Sequence, residues 1–316
     1  MAPTHGSRHF RPHGRAARRA AFGGSGQGRS GHRCAPDHRQ DHRSAEIRDP
    51  CQRLLARLIS RVFEARRAQG RAALVPYVTA GYPELDSTVP LLEALAASGG
   101  DVLELGIPFS DPLADGPTIQ LSSFKSLENG TTVGSVLADV RTFRSRNETP
   151  VVLMTYLNPV LRFGVDAFLA EAMESGANGV LLTDLPTGAD PSLEAQVCES
   201  ALDLIRLVAP TTAPDRVPEV AEGGSGFLYY ISRTGVTGAQ SELGDTVAEE
   251  VRRVRAAVSL PVAVGFGIST PDQAAEVASV ADGVVVGSAL IHRLSSGGID
   301  EAASFLSTMR SGMDAR

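Results

Sequence analysis

From Ala73 onward the chain repeats one pattern eight times: a short apolar run, then a longer stretch of mixed polarity. The runs are Ala73–Thr79, Val102–Leu105, Val151–Thr155, Gly179–Leu182, Asp203–Val208, Gly226–Ile231, Pro261–Gly265 and Gly283–Val286. They are nearly continuous in apolar character, as strands buried on both faces must be. Helical periodicity lies between them, over Leu85–Ser98, Val133–Arg144, Val165–Ser175, Thr246–Val258 and Pro271–Val280. Eight strand–helix units in about 250 residues predict a single (β/α)8 TIM barrel of the α/β class. The rival is an open doubly wound sheet, but no G-x-G-x-x-G opens the first helix, and eight regular units favour closure.

Two segments precede the repeat. In RLLARLISRVFEARRAQGR, Leu54, Leu55, Leu58, Ile59, Val62 and Phe63 form one stripe of period 3.6. This extra N-terminal helix could lie on a membrane surface, but covering the base of the barrel is the expected use. Residues 1–52 are a basic leader that holds six of the seven histidines and almost no aliphatic side chains. Such a segment cannot offset its ordering entropy by burial. It is expected to be a disordered tail or the product of an upstream start codon, rather than a nucleic-acid arm or a transit peptide. The domain division is therefore 1–52 leader and 53–316 barrel.

The charge follows the same division. Residues 1–50 carry ten arginines against four acids, whereas the remainder carries 20 basic and 32 acidic side chains. An acidic body argues against nucleic-acid binding. No apolar run approaches the roughly 20 residues of a membrane span. Cys34, Cys51 and Cys198 have no metal-ligand spacing, so neither a zinc site nor a disulfide framework is expected. A reducing compartment, the cytoplasm, fits best.

The residues able to do chemistry fall just after the strands, where barrel enzymes place their sites: Glu104, Asn158, Asp184, Thr237, Gly265–Gly267 and Gly287–Ser288. The stretch LELGIPFSDPLADGPTIQ (103–120) sets Glu104 inside a strand and Asp111 and Asp115 in a proline-stiffened loop, with Gly106 and Gly116 as flexible points. If Leu103 and Leu105 face the helices, Glu104 points into the barrel mouth. Desolvation there raises its pKa and suits it to proton transfer near neutrality, unless it is a structural acid paired with an arginine. Asp115, in the loop, is more solvated and should stay ionised. Two carboxylates in unlike environments suggest a proton shuttle and a cation stabiliser. Asp111 reads as a turn-former or a partner contact.

The glycines of VAVGFGIS (262–269) and VVVGSAL (284–290) end the seventh and eighth strands, the usual phosphate site of such barrels. The loop SRTGVTGAQSELG (232–244) has the length and polarity of a lid. Tyr77, Tyr156, Tyr229 and Phe266 could sandwich a flat aromatic ligand. His292, without any partner signal, reads as structural. Arg206 interrupts the fifth strand and is expected to reach a rim or a carboxylate. Lys125 is the sole lysine.

Over roughly Arg61–Leu294 the chain resembles the tryptophan synthase α chain family. Besides 103–120, the similar segments are LVPYVTAGYP (74–83), VLMTYLNPV (152–160), GVLLTDLP (179–186), LVAPTT (207–212), YYISRTGVTGA (229–239), VGFGIS (264–269) and GVVVGSA (283–289), in the family's order. The resemblance implies retro-aldol cleavage of indole-3-glycerol phosphate to indole and glyceraldehyde 3-phosphate. It gives Glu104 the acid–base role, Asp115 the indole N–H, and Thr237 the positioning of that aspartate from the lid. Gly238, Phe266, Gly267, Gly287 and Ser288 match phosphate-binding positions. Tyr77, Met154, Tyr156, Leu181, Thr183 and Tyr229 match the indole pocket.

The resemblance also implies a partner, the β chain of an α2β2 heterotetramer. That β chain carries the PLP and receives the indole; no cofactor and no metal are expected in this chain. Other phosphate-binding barrels, such as indole-glycerol-phosphate synthases, should carry a catalytic lysine, for which Lys125 is poorly placed. A non-catalytic binding subunit and a stand-alone indole-producing lyase are the remaining readings.

Overall fold

A computed structural model of the chain describes residues 58–231, 245–265 and 267–315. Nine parallel strand segments form one sheet: β1 (Ala73–Thr79), β2 (Leu103–Gly106), β3 (Val151–Thr155), β4 (Gly179–Leu182), β5 (Asp203–Leu204), β6 (Arg206–Val208), β7 (Leu228–Ile231), β8 (Val262–Gly265) and β9 (Gly283–Val286). Their order is β5-β4-β3-β2-β1-β9-β8-β7-β6. β5 and β6 are two halves of one stave interrupted at Ile205, the first pairing with β4 and the second with β7. The expected fifth strand, Asp203–Val208, is thus split, and the eight staves make a nearly closed (β/α)8 barrel.

Alternation along each strand divides the core in two. Leu74, Val78, Leu103, Leu105, Leu153 and Val264 face outward into the layer shared with the helices. Ala73, Val75, Val102, Val152, Leu181, Phe227 and Val285 face inward. The helix α1 (Leu58–Ala68) supplies Ile59 and Phe63 to that inner cluster and so closes the barrel base, as its stripe predicts. The Phe63 and Phe227 rings lie 5.3 Å apart. Gly283 makes room for this plug, since a Cβ there would lie 2.8 Å from the Phe63 ring. Burying each of the two plug side chains is worth about 1.5–3 kcal/mol.

Polar clamps fix the same end. Asp101, Asn178, Ser225 and Asp282 each precede an even-numbered stave. Their side chains accept the backbone N–H at the start of the preceding stave, at Leu74, Val151, Leu204 and Val262, over 2.8–3.1 Å. Arg66 and Arg310 hold Asp101, and Arg67 and Arg255 hold Asp282. Two of these arginines belong to α1, so the plug is tied as well as packed. With the N-terminal end closed, the mouth of the barrel lies at its C-terminal end.

Several helices match expectation to within a few residues: α2 (Thr88–Ala97), α4 (Val133–Arg144), α6 (Val165–Ser175), α9 (Asp245–Ala257) and α10 (Pro271–Ala278). Between them lie α3 (Pro117–Glu128), α5 (Leu157–Phe163), α7 (Pro191–Glu199) and α8 (Arg216–Ala221), followed by α11 (Ser288–Asp314), which is broken at Gly298. No helix among the described residues is long and apolar enough to cross a membrane.

Candidate active site

A cavity of about 960 Å³ occupies the C-terminal mouth of the barrel. Its floor comes from inward positions of consecutive staves: Tyr77 of β1, Glu104 of β2, Met154 of β3, Leu181 of β4, Leu207 of β6 and Tyr229 of β7. Tyr77 and Glu104 are register partners, so the acid sits beside the phenol ring.

Glu104 is 1% exposed, and among the described residues neither carboxylate oxygen has a hydrogen-bond partner. The reading of a structural acid paired with an arginine is therefore not supported. Burial, reinforced by the negative charge of Asp115, pushes its pKa up to about 8. A buried acid without partners costs stability, and such a cost inside a cavity makes Glu104 a candidate functional group.

Asp115 sits at the rim, in the loop between β2 and α3, and a chain of hydrogen bonds holds it. The Ala114 N–H donates to the Tyr156 hydroxyl over 2.9 Å, and that hydroxyl donates to Asp115 Oδ2 over 3.1 Å. The Gln120 amide fixes the Asp115 carbonyl at 2.9 Å. Burial raises the Asp115 pKa to about 6 and the Tyr156 bond opposes the rise. The two acids thus titrate apart, Asp115 first. Asp111 is exposed and takes a bond from Ser110, away from the cavity.

Gly106 is not a flexible point. It closes β2, and a Cβ there would land on the Tyr77 hydroxyl; a Cβ at Gly265 would likewise land on the Tyr229 hydroxyl. Each glycine is the space into which one tyrosine lies. Gly106→Ala is expected to lose about 1–3 kcal/mol, the usual size for overpacking. Urea unfolding measures it, and an unchanged midpoint would reject the assignment.

Gly267, Gly287 and Ser288 also line the cavity, just after β8 and β9. Gly267 has φ +61°, a conformation that favours glycine. Helix α11 begins at Ser288 with Gly287 as its N-cap, so no side chain covers its first N–H groups. The neighbouring α10 differs: Thr270 and Gln273 close its N-terminus in a reciprocal capping box. Of these two helix ends, α11 is the one left open to an anion.

Thr183 also lines the cavity, and with Tyr77, Met154, Leu181 and Tyr229 it surrounds Glu104. Tyr156 stands behind Asp115 instead, as its hydrogen-bond donor. Thr237, Gly238 and Phe266 lie outside the described residues. His292, read as structural, is exposed, lines the cavity and lies 3.1 Å from Thr118 Oγ1, so it does have a partner. Its spacing of four from Ser288 was the available signal. Asp184 caps helix α5 through the Leu157 N–H at 2.6 Å and takes no part in the cavity wall. Arg206 is buried and ion-paired with Glu194, so it does reach a carboxylate. Lys125 is half-exposed on α3, 3.8 Å from Glu128.

Comparison with known proteins agrees with this geometry. Residues 63–312 match the sequence profile of the family described as Tryptophan synthase alpha chain. The Geotalea daltonii tryptophan synthase alpha chain is 46% identical over 257 residues, covering 81% of this chain and 97% of that protein. The Geobacter sulfurreducens protein of the same name is 48% identical over 256 residues, covering 80% and 97%. Among solved structures, the tryptophan synthase subunit alpha of Legionella pneumophila superposes with a TM-score of 0.76 at 38% identity, covering 82% of this chain and 98% of that one. A chain of tryptophan synthase from M. tuberculosis gives 0.74 at 37%, covering 81% and 98%. Profile, sequence relatives and barrel geometry agree, and the chain belongs to the tryptophan synthase alpha chain family.

Proposed function

We propose that Glu104 and Asp115 divide the chemistry of this lyase, the cleavage of indole-3-glycerol phosphate to indole and glyceraldehyde 3-phosphate in tryptophan biosynthesis. The observation that carries the division is the split between the two acids, one buried without partners and one held at the rim by Tyr156. Breaking the C–C bond requires indole to leave. Protonated Glu104 gives its proton to indole C3, and ionised Asp115 accepts the indole N–H and stabilises the positive charge that develops on the ring. The Glu104 carboxylate then takes the proton of the glycerol hydroxyl as the C–C bond breaks and the aldehyde forms. The carboxyl is restored, so the cycle balances without an external acid or base.

Gly267, Gly287 and Ser288, with Gly238 and Phe266, are proposed to hold the phosphate against the open end of α11. Tyr77, Met154, Leu181, Thr183 and Tyr229 form the apolar and phenolic bed for the ring. Thr237 is proposed to position Asp115 from the lid. His292 faces the same cavity but has no part in this scheme.

The same reading gives the chain a β-chain partner in an α2β2 assembly. It is supported by the family match over residues 63–312. PLP chemistry belongs to that β chain; the sole lysine of this chain lies on α3, outside the cavity. The cytoplasm is the expected location, and the acidic body disfavours nucleic acid as a partner.

Incubation with indole-3-glycerol phosphate, with and without a β chain, tests the activity. Indole is expected in both cases and faster with the partner; none in either would overturn the assignment. Tyr156→Phe tests the wiring of Asp115. Losing the donor that lowers its pKa should move the acid limb of the rate profile to higher pH, with roughly a tenfold loss of rate below that limb. An unmoved limb would remove Tyr156 from the site.

A further inference from the structure

A second cavity, of about 490 Å³, opens on the flank of the barrel between β4 and β6. The sheet itself creates it. The β4–β5 ladder ends at Val180–Leu204, with one further bond from the Ile205 N–H to the Val180 carbonyl at 2.9 Å. Beyond that point β6 pairs only with β7. Leu182 and Thr183 on one side, and Arg206 and Leu207 on the other, therefore bound a slot instead of joining.

The slot has a mixed lining, in which leucines, Ile205 and Val220 alternate with threonines and two arginines. Arg206 is 4% exposed; its Nη2 is committed to Glu194, while its Nε has no partner. Thr187 Oγ1 is also buried and unpartnered. A buried guanidinium N–H and a buried hydroxyl are normally satisfied, so leaving both open in one cavity costs free energy that a ligand would recover. Arg216 adds positive charge to the lining, in an exposed pair with Glu219 at 3.6 Å.

We propose that this slot is a second ligand site, which takes a small monocarboxylic acid with an apolar body the size of a phenyl ring. The two unpartnered donors belong to residues that line the slot and call for an acceptor, which a carboxylate supplies. Glu194 already offsets the Arg206 charge, so Arg216, in its loose and exposed pair, is the cation left to meet one negative charge, and a dianionic phosphate would be under-neutralised. The leucines, Ile205 and Val220 take the body of the ligand. This inference goes beyond the lyase reading and does not depend on it. It nevertheless bears on that site, because Thr183 and Leu207 line both cavities. Thr183 also acts on the Tyr156 phenol, the donor to Asp115, favouring its ionisation. Filling the slot immobilises the shared wall and acts on turnover from outside the substrate site.

The test is calorimetry on the full chain with indole and glycerol 3-phosphate both saturating, so that the mouth cavity is occupied. One equivalent of phenylacetate is expected to bind, and phenylacetamide about tenfold more weakly, the size of one charge-assisted hydrogen bond. Arg206→Leu should weaken phenylacetate by about tenfold or more. Thr187→Val keeps the Arg206–Glu194 pair and the local packing, and should weaken it several-fold, to about tenfold. Failure of phenylacetate to bind would overturn the proposal, as would equal affinity for acid and amide or wild-type affinity in Thr187→Val.

Discussion

Glu104→Gln is expected to stop indole release while making the protein more stable. General acid–base groups contribute about 10²–10⁴ in rate, and Glu104 is proposed to move two protons per cycle, which places the loss at the upper end. The gain in stability follows from the same burial. The folded pKa of about 8 lies above the ordinary value of 4.5, so the unfolded chain ionises first as pH rises. Below about pH 4.5 both states hold the proton and Glu104 costs nothing. Between 4.5 and 8 the cost grows, and above 8 it is constant. At pH 7 the difference amounts to roughly 3 kcal/mol, which Gln removes. Urea midpoints for the two proteins should therefore diverge between pH 5 and 8 and coincide near pH 4. Glycerol 3-phosphate binding, read at the loops after β8 and β9, should not change. Substantial residual turnover would reject the proton-shuttle role, and a less stable variant would reject the account of an unpartnered buried acid.

The barrel was legible because its signal is redundant. Each stave repeats an apolar run, so misplacing a strand end by a residue or two, as at Gly226–Ile231, leaves the count intact. Glu104 was legible for a related reason: an acid between two leucines in a strand has only the interior to face. What sequence hid was geometry that depends on a distant partner. Gly106 reads as a hinge until Tyr77 is seen lying over it, and two residues 29 apart carry no local signal of that contact. His292 reads as structural because its neighbour Thr118 lies 174 residues away. The break at Ile205 was invisible because Asp203–Val208 is continuous in apolar pattern apart from Asp203 and Arg206, yet pairing passes from β4 to β7 in its middle. Arg206 itself signalled that something interrupts the wall there, and Glu194 and the slot beside β6 are its physical explanation.

The pH profile of the wild-type enzyme should be a bell, and Asp115→Asn should change both of its sides. The working form proposed here holds one proton across the two acids, on Glu104, with Asp115 ionised. With Asp115 titrating at about 6 and Glu104 at about 8, that form is most populated near pH 7. Activity should fall below pH 6 as Asp115 is protonated and above pH 8 as Glu104 loses its proton. Because each charge bears on the other, the two limbs in kcat/KM are apparent values of the pair. In Asp115→Asn the acid limb should vanish, since its titrating group is gone. The alkaline limb should move to lower pH, because the Asp115 charge is the second cause that raises Glu104 after burial. The plateau should drop by about 10²–10³, the usual size of losing one preorganised group that stabilises transition-state charge. The size of the loss alone would not identify the role, because any damaged active site loses rate. The coupled displacement would, since removing a negative charge near Glu104, with its burial unchanged, is what moves the alkaline limb down. An Asp115→Asn enzyme that retains both limbs of the wild type would remove Asp115 from the proton inventory of the site and leave Glu104 to act alone.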